Sequence, residues 1–228
     1  MTALLHTYWY ERIMLNFLVE DEALRQRLPE GWKPVARAGG SNVTVGFCEV
    51  WQDEPAQASS YLYIPVNGVT EHEDGRTANM RYLTISDHPD AIGGCRVARA
   101  THAEHTRTAM SDGGEVLVRE AFRFDVDGGR IAVDLEYLRG AYHQFVAGMD
   151  VRCPDDASYT RRYENEELQL RLRDTQGIDR VRSLSYEISS PALRDLFDGT
   201  ERLMSVSSIP TSKRRVSSQS DTGPGASV

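Results

Sequence analysis

The segment His102-Ala103-Glu104-His105 sets two imidazoles and a carboxylate side by side in the chain. On a helix, histidines three apart share a face and can hold a metal ion together. The neighbours alternate instead. Val97, Arg99 and Thr101 interleave with Ala98, Ala100 and His102, and Thr106 and Thr108 follow, which predicts a strand. Side chains on a strand point to its two faces in turn, so His102 and Glu104 share one face and His105 takes the other. A two-histidine metal site loses its geometry, and no metal set is expected. His102 with Glu104 becomes a candidate general acid/base pair, the carboxylate orienting the imidazole and raising its pKa. The plain alternative is a pair of polar residues on a strand's wet side.

Other groups carry less chemistry. Ser59-Ser60, Ser205, Ser207 and Ser208 lack the Gly-x-Ser-x-Gly elbow of serine hydrolases. Gly93-Gly94 lacks the spacing of a dinucleotide fingerprint, so no nucleotide cofactor is expected. Glu164, Glu166 and Glu167 read as a solvated acidic edge. Cys48, Cys95 and Cys153 are odd in number and far apart, without the paired spacing of zinc or redox sites, and read as reduced thiols. Lysine is nearly absent: Lys33 and Lys213 are the only two.

The elements that must position these groups are mostly strands. Ile13, Leu15, Phe17 and Val19 alternate with Tyr10, Arg12, Met14 and Asn16, a strand with a core face and a mixed face. Asp21 is placed to cap a short helix through Leu24 and Leu28 that Pro29 ends. A second short helix is expected from Asp87-His88-Pro89 to Gly93, and a third from Ser190-Pro191 through Phe197, with Gly199 ending it. Asp127-Gly128-Gly129 predicts a hairpin joining Glu115–Val126 to Arg130–Leu138, because glycine supplies the positive φ of a tight turn. Leu168, Leu170 and Leu172 followed by Gln176-Gly177 and Val181–Ile188 predict a second hairpin, and Arg202–Ile209 a last strand. Many strands with about three short helices describe an α+β, mainly antiparallel β fold of barrel or sandwich type.

The 228 residues, 40% hydrophobic and 26% charged, suit one globular domain over residues 1–216, and the Ser-, Gly- and Pro-rich stretch 217–228 reads as a disordered tail. A net charge of −8 argues against nucleic acid as a partner. No apolar run approaches the ~18 residues of a membrane span, and the N-terminus lacks the basic and apolar regions of a secretory signal, so a cytoplasmic location is expected.

Several stretches together resemble the acetoacetate decarboxylase family. Tyr10-Glu11-Arg12-Ile13-Met14, Val19-Glu20-Asp21-Glu22-Ala23-Leu24-Arg25 and Leu28-Pro29-Glu30 resemble its opening. Ile64-Pro65-Val66, Met80-Arg81-Tyr82-Leu83, the helix before Gly94, and Pro191, Leu193, Leu196-Phe197 and Ser205–Ser208 continue the likeness. The resemblance implies a cone-like β-barrel around a pocket for a small oxo acid, in a homo-oligomeric enzyme without a cofactor. Active members of the family use a lysine that forms a Schiff base with the substrate ketone, its pKa lowered by a second lysine and by burial.

Here the matching stretch reads Ala100-Thr101-His102-Ala103-Glu104, and no lysine lies between Pro34 and Ser212. An imidazole forms no stable imine with a ketone. The resemblance therefore implies a divergent member that keeps the pocket for an oxo acid or carbonyl compound and replaces imine catalysis with acid/base chemistry: hydration or dehydration, isomerisation, or cyclisation. His102 would move the proton, Glu104 would orient it, and Arg12 would pair with a carboxylate or polarise an oxygen. Tyr10, Glu49, Ser59 and Arg96 are the candidate substrate-binding residues, the first three at or near positions where the family carries pocket residues. Two other readings remain: a barrel that only binds a small ligand, and a decarboxylase in which Lys33 or Lys213 reaches the pocket.

Overall fold

The structure is a computed structural model that describes residues 3–54, 60–88 and 97–220. Strand β1 (Ala3–Val19) leads through helix α1 (Asp21–Arg25) to β2 (Trp32–Pro34), β3 (Ala36–Arg37), β4 (Gly40–Glu54), β5 (Tyr61–His72), β6 (Thr77–Ser86) and β7 (Val97–Arg99). Then come β8 (His102–Asp112), β9 (Glu115–Val126), β10 (Gly129–Leu138), β11 (His143–Cys153), β12 (Asp156–Arg173), β13 (Val181–Ile188) and β14 (Arg202–Ser220).

Seven strands bond in the order β5-β4-β1-β14-β12-β11-β6, and β6 pairs back onto β5, so the sheet closes into a barrel. Strands β13, β10, β9 and β8 form a separate four-stranded antiparallel sheet. Closure leaves no exposed edge on the barrel strands and gives every strand an inside and an outside. On β1 the inside holds Tyr8, Tyr10 and Arg12, while Ile13, Leu15 and Phe17 point outward and are fully buried. They join Phe47, Phe122, Phe124 and Ile131 in the main core between the barrel and the second sheet. Phe17 meets Tyr186 edge-on, and Phe47 lies 5.9 Å from Phe122, centroid to centroid. A smaller cluster of Tyr8, Tyr10, Cys48, Tyr63, Val151 and Tyr163 fills the barrel itself.

The Asp127-Gly128 turn forms as expected: Gly129 pairs with Val126 and Gly128 has φ +74°. The expected hairpin between β12 and β13 does not. Apart from one bridge between Arg173 and Asp179, β12 pairs with β11 and β14, and β13 pairs with β10. Asp174 accepts the backbone N–H groups of Gln176 and Ile178, and this turn carries the chain from barrel to second sheet instead of folding it back.

Helical content is lower than expected. Residue Glu20, not Asp21, precedes α1, and the Asp21 carboxylate accepts a hydrogen bond from Ser41 Oγ rather than capping the helix. The segment after Ser190 makes only a 3-10 turn at Pro191–Leu193, which buries Leu193, Leu196 and Phe197 against the core. The expected middle helix, Asp87 to Gly93, lies outside the described residues from 89 onward. Strand β14 runs to Ser220 because Ser217 and Ser218 still pair with β1 and β12, so the expected boundary at residue 216 lies inside a strand; residues 221–228 are outside the described set. Cys48 is free and buried, but Cys153 is disulfide-bonded, correcting its reading as a reduced thiol. Sequence spacing does not say which thiols meet in space. Among the described residues no helix is long and apolar enough to cross a membrane.

Candidate functional site

The turn at Gly113-Gly114, both with positive φ, sets the register of β8 on β9 so that Ala103 pairs with Phe124 and His105 with Phe122. Phe122 and Phe124 belong to the buried face of β9. Their partners on β8 therefore turn inward, and His102 and Glu104 turn outward. The expected alternation is correct, but the buried face is the one that carries His105. His102 is exposed, and Glu104 is half-exposed, its carboxylate 4.0 Å from Arg123 on the solvent side. Neither meets Arg12, so the expected His102–Glu104–Arg12 constellation does not assemble.

His105 lies between the two sheets with its ring stacked on Phe122 at 3.8 Å and 8°. Its Nδ1 is 2.5 Å from Glu49 Oε2 and 3.6 Å from Glu11 Oε1, both on outward-facing positions of barrel strands. Its Nε2 faces Glu120 Oε1 at 3.5 Å, an ion-pair distance. Burial alone lowers the pKa of an imidazole; here Glu120 and Glu49 outweigh it and push His105 up to about 9, so the ring is charged at neutral pH. Burial, together with Glu120 and Glu49, raises the pKa of Glu11 against the opposing pull of Arg107 and His105. Arg107 donates to Glu11 at 2.7 Å. Tyr137 donates to Glu120 at 3.1 Å and contacts Ser208 at 3.1 Å, which orients the deepest carboxylate.

Exposure decides what a solute can touch. The side chains of His105 and Glu120 are 5% and 2% exposed, whereas Glu49 and Arg107 are 31% and 29% exposed. The arrangement is thus a reachable carboxylate and a reachable guanidinium in front of a buried, charged imidazole. Glu11, Glu49 and His105 also offer ligand atoms within 4.8 Å of one another. A divalent cation there would require a neutral imidazole. With His105 charged, it and Arg107 set two positive charges against the carboxylates of Glu11, Glu49 and Glu120. Of these residues Glu49 is a substrate-binding candidate from the sequence, and His105 enters there only as half of the two-histidine metal site that strand alternation sets aside. His105 could have been found from the apolar partners Phe122 and Phe124, once the β8–β9 register is drawn.

Arg12 and Tyr10 lie on the opposite side of the barrel wall. Arg12 Nη2 donates to both oxygens of Glu167, at 2.8 and 2.9 Å, and Tyr10 Oη donates to Glu167 Oε1 at 3.0 Å. Arg214 Nη2 donates to Tyr10 Oη at 2.5 Å. Burial raises the carboxyl pKa, but Arg12 and Arg214 outweigh it and hold Glu167 below its usual range. Glu167 is therefore not part of an acidic edge: on β12 it faces inward, with Glu164 and Glu166 exposed beside it. Arg12 already has its carboxylate and is not free to take a substrate's. Ser59 and Arg96 lie outside the described residues.

Neither lysine approaches either cluster. Lys33 is 60% exposed beside Glu71. Lys213 sits over the Trp9 ring on the outer side of β14, between the inward-facing Ser212 and Arg214.

A closed seven-stranded barrel with a four-stranded sheet packed across it is the acetoacetate decarboxylase-like fold, here without a lysine at the site. An acetoacetate decarboxylase-like enzyme from Sphingomonas wittichii RW1 is similar at TM-score 0.58 and 12% identity, over 96% of this chain and 92% of that one. The enduracididine biosynthesis enzyme MppR is similar at TM-score 0.57 and 15% identity, over 96% and 88%. Acetoacetate decarboxylase from Legionella pneumophila is similar at TM-score 0.54 and 10% identity, over 95% and 88%. No family model matches the sequence, and no curated protein sequence matches it.

Proposed function

We propose that this protein is an enzyme acting on a small oxo acid or carbonyl compound by acid/base chemistry without a Schiff base, with Glu49 and His105 as the proton-transfer pair. The 2.5 Å contact between a reachable Glu49 and a buried, charged His105 carries the reading. A general acid or base must sit within hydrogen-bond reach of both its substrate and the group that tunes it. Glu49 fills the first position, exchanging a proton at the carbon or oxygen next to the carbonyl, and His105 fills the second. Arg107 is 29% exposed and bonds Glu11 through Nη1 alone, so unlike the doubly bonded Arg12 it keeps Nη2 for a substrate's carboxylate or a developing oxyanion. Glu120, held by Tyr137, keeps the imidazole charged. The products are those of enolisation: dehydration, isomerisation or ring closure.

Two similar structures support the substrate class, since MppR is described with pyruvate and with the condensation product of pyruvate and imidazole 4-carboxaldehyde. The test is to incubate the purified protein with a panel of 2- and 3-oxo acids, following CO₂ release, water loss and exchange of the α-proton separately. Exchange or water loss that falls about 10²–10⁴-fold in both Glu49→Gln and His105→Gln supports the assignment. Turnover kept within about threefold in both variants sinks it.

A further inference from the structure

A cavity of about 670 Å³ lies at one mouth of the barrel, on the opposite side of the wall from His105. Its place follows from strand alternation. On β1 the inward column runs Tyr8, Tyr10, Arg12, Met14, Asn16; on β12 it runs Tyr163, Asn165, Glu167, Gln169, Arg171. The Arg12–Glu167 pair therefore plugs the barrel just below the cavity, and Met14, Asn16, Gln169 and Arg171 line it. The floor is fixed by Thr44 donating to Asn16 at 2.6 Å and Asn16 donating to Ser205 at 2.9 Å.

The charge of this cavity is the unusual feature. The chain as a whole carries −8, yet Arg37 and Arg171 both line the cavity and neither has a carboxylate partner among the described residues. Of the other charged groups there, Arg173 is ion-paired with Asp179, and Asp174 is the one carboxylate among the described lining residues, leaving Arg37 and Arg171 in excess of it. Asp174 Oδ1 accepts the backbone N–H groups of Gln176 and Ile178. Arg37 comes from β3, beside β4, and Arg171 from β12, so the two flank the cavity from either side of β1 and β14. Asn42, Gln169 and Ser207 add neutral hydrogen-bonding groups that make no side-chain bond within the described protein. Two like charges converging on a concave surface repel each other, and an anion between them turns that repulsion into two attractions. The volume suits a small metabolite.

We infer that the barrel mouth is a binding site for a small organic dianion, held by Arg37 and Arg171 and oriented by Asn42, Gln169 and Ser207. The two negative groups are carboxylates or a phosphate monoester. The site is separate from the proposed proton-transfer pair, because β1 and β14 turn Ser207 toward the cavity and Ser208 toward Tyr137.

Calorimetric titration of the full chain with succinate and with glycerol 2-phosphate tests this, with Arg37→Gln, Arg171→Gln and His105→Gln run beside the wild type. Saturable binding of either probe that weakens about tenfold or more in each arginine variant and is unchanged in His105→Gln supports the site, and the better probe identifies carboxylate or phosphate. Amide shifts confined to Arg37–Asn42, Gln169–Arg173 and Ser205–Ser207 on adding that probe give the same answer independently. Absence of saturable binding by both probes, or binding that ignores both arginine substitutions, overturns the inference. Since both arginines are exposed, the variants test binding and not folding.

Discussion

The Nδ1 of His105 lies 2.5 Å from Oε2 of Glu49, a contact across 56 residues of sequence that joins the four-stranded sheet to the barrel wall. It converts two ordinary strand residues into a proton-sharing pair and makes the charge of His105 part of what holds the two layers together.

That charge gives stability a pH signature. The folded-state pKa of His105 is raised to about 9, above its ordinary 6.5. Its stabilising contribution is complete below about pH 6.5 and is lost as pH rises through about 9. The expected gap in unfolding free energy between wild type and His105→Gln narrows by roughly 2–3 kcal/mol at most across this window. Urea unfolding at pH 6, 7.5 and 9.5 measures it. A gap that stays constant with pH would show that the imidazole is not charged at neutrality.

The Arg12–Glu167 pair is structural. Removing one partner leaves a charge uncompensated in the barrel interior, and such losses run to about 3–5 kcal/mol. Glu167→Gln is expected to lower the urea midpoint accordingly, with the slope unchanged. The remaining amide still accepts a hydrogen bond, so the low end of that range is expected. A shift below about 0.5 kcal/mol would mean that Arg12 reaches solvent.

Catalysis is expected to be independent of lysine. In the Lys33→Arg/Lys213→Arg double variant, turnover of whichever oxo acid proves to be a substrate should stay within about threefold of wild type, since neither amine approaches the site. Borohydride added to wild type with that substrate should leave no mass adduct on either lysine. A reduced adduct would restore imine chemistry.

The pair that the local sequence points to first should be silent. His102 and Glu104 face solvent, so His102→Ala and Glu104→Ala are expected to change stability by no more than about 0.5 kcal/mol. Steady-state rates of both variants on the same substrate should match wild type. A hundredfold loss in either would return the proton transfer to the outer face of β8.

Much of the frame is legible in the residues. Alternation along β1 marks Ile13, Leu15 and Phe17 as a core face, Asp127-Gly128 marks a hairpin, and the stretch Ala100–Glu104 carries no lysine. Alternation assigns residues to faces, however, without saying which face becomes buried. His102 and His105 are equally polar, and only the stacking of β8 against Phe122 turns the second inward. In the same way Glu166 and Glu167 are indistinguishable until barrel closure sets one in water and the other beside Arg12. Local periodicity belongs to the chain itself, whereas the identity of the inside belongs to contacts between segments far apart in sequence. Burial follows those contacts, and with it go the charge of His105, the reach of Glu49 and the pairing of Arg12.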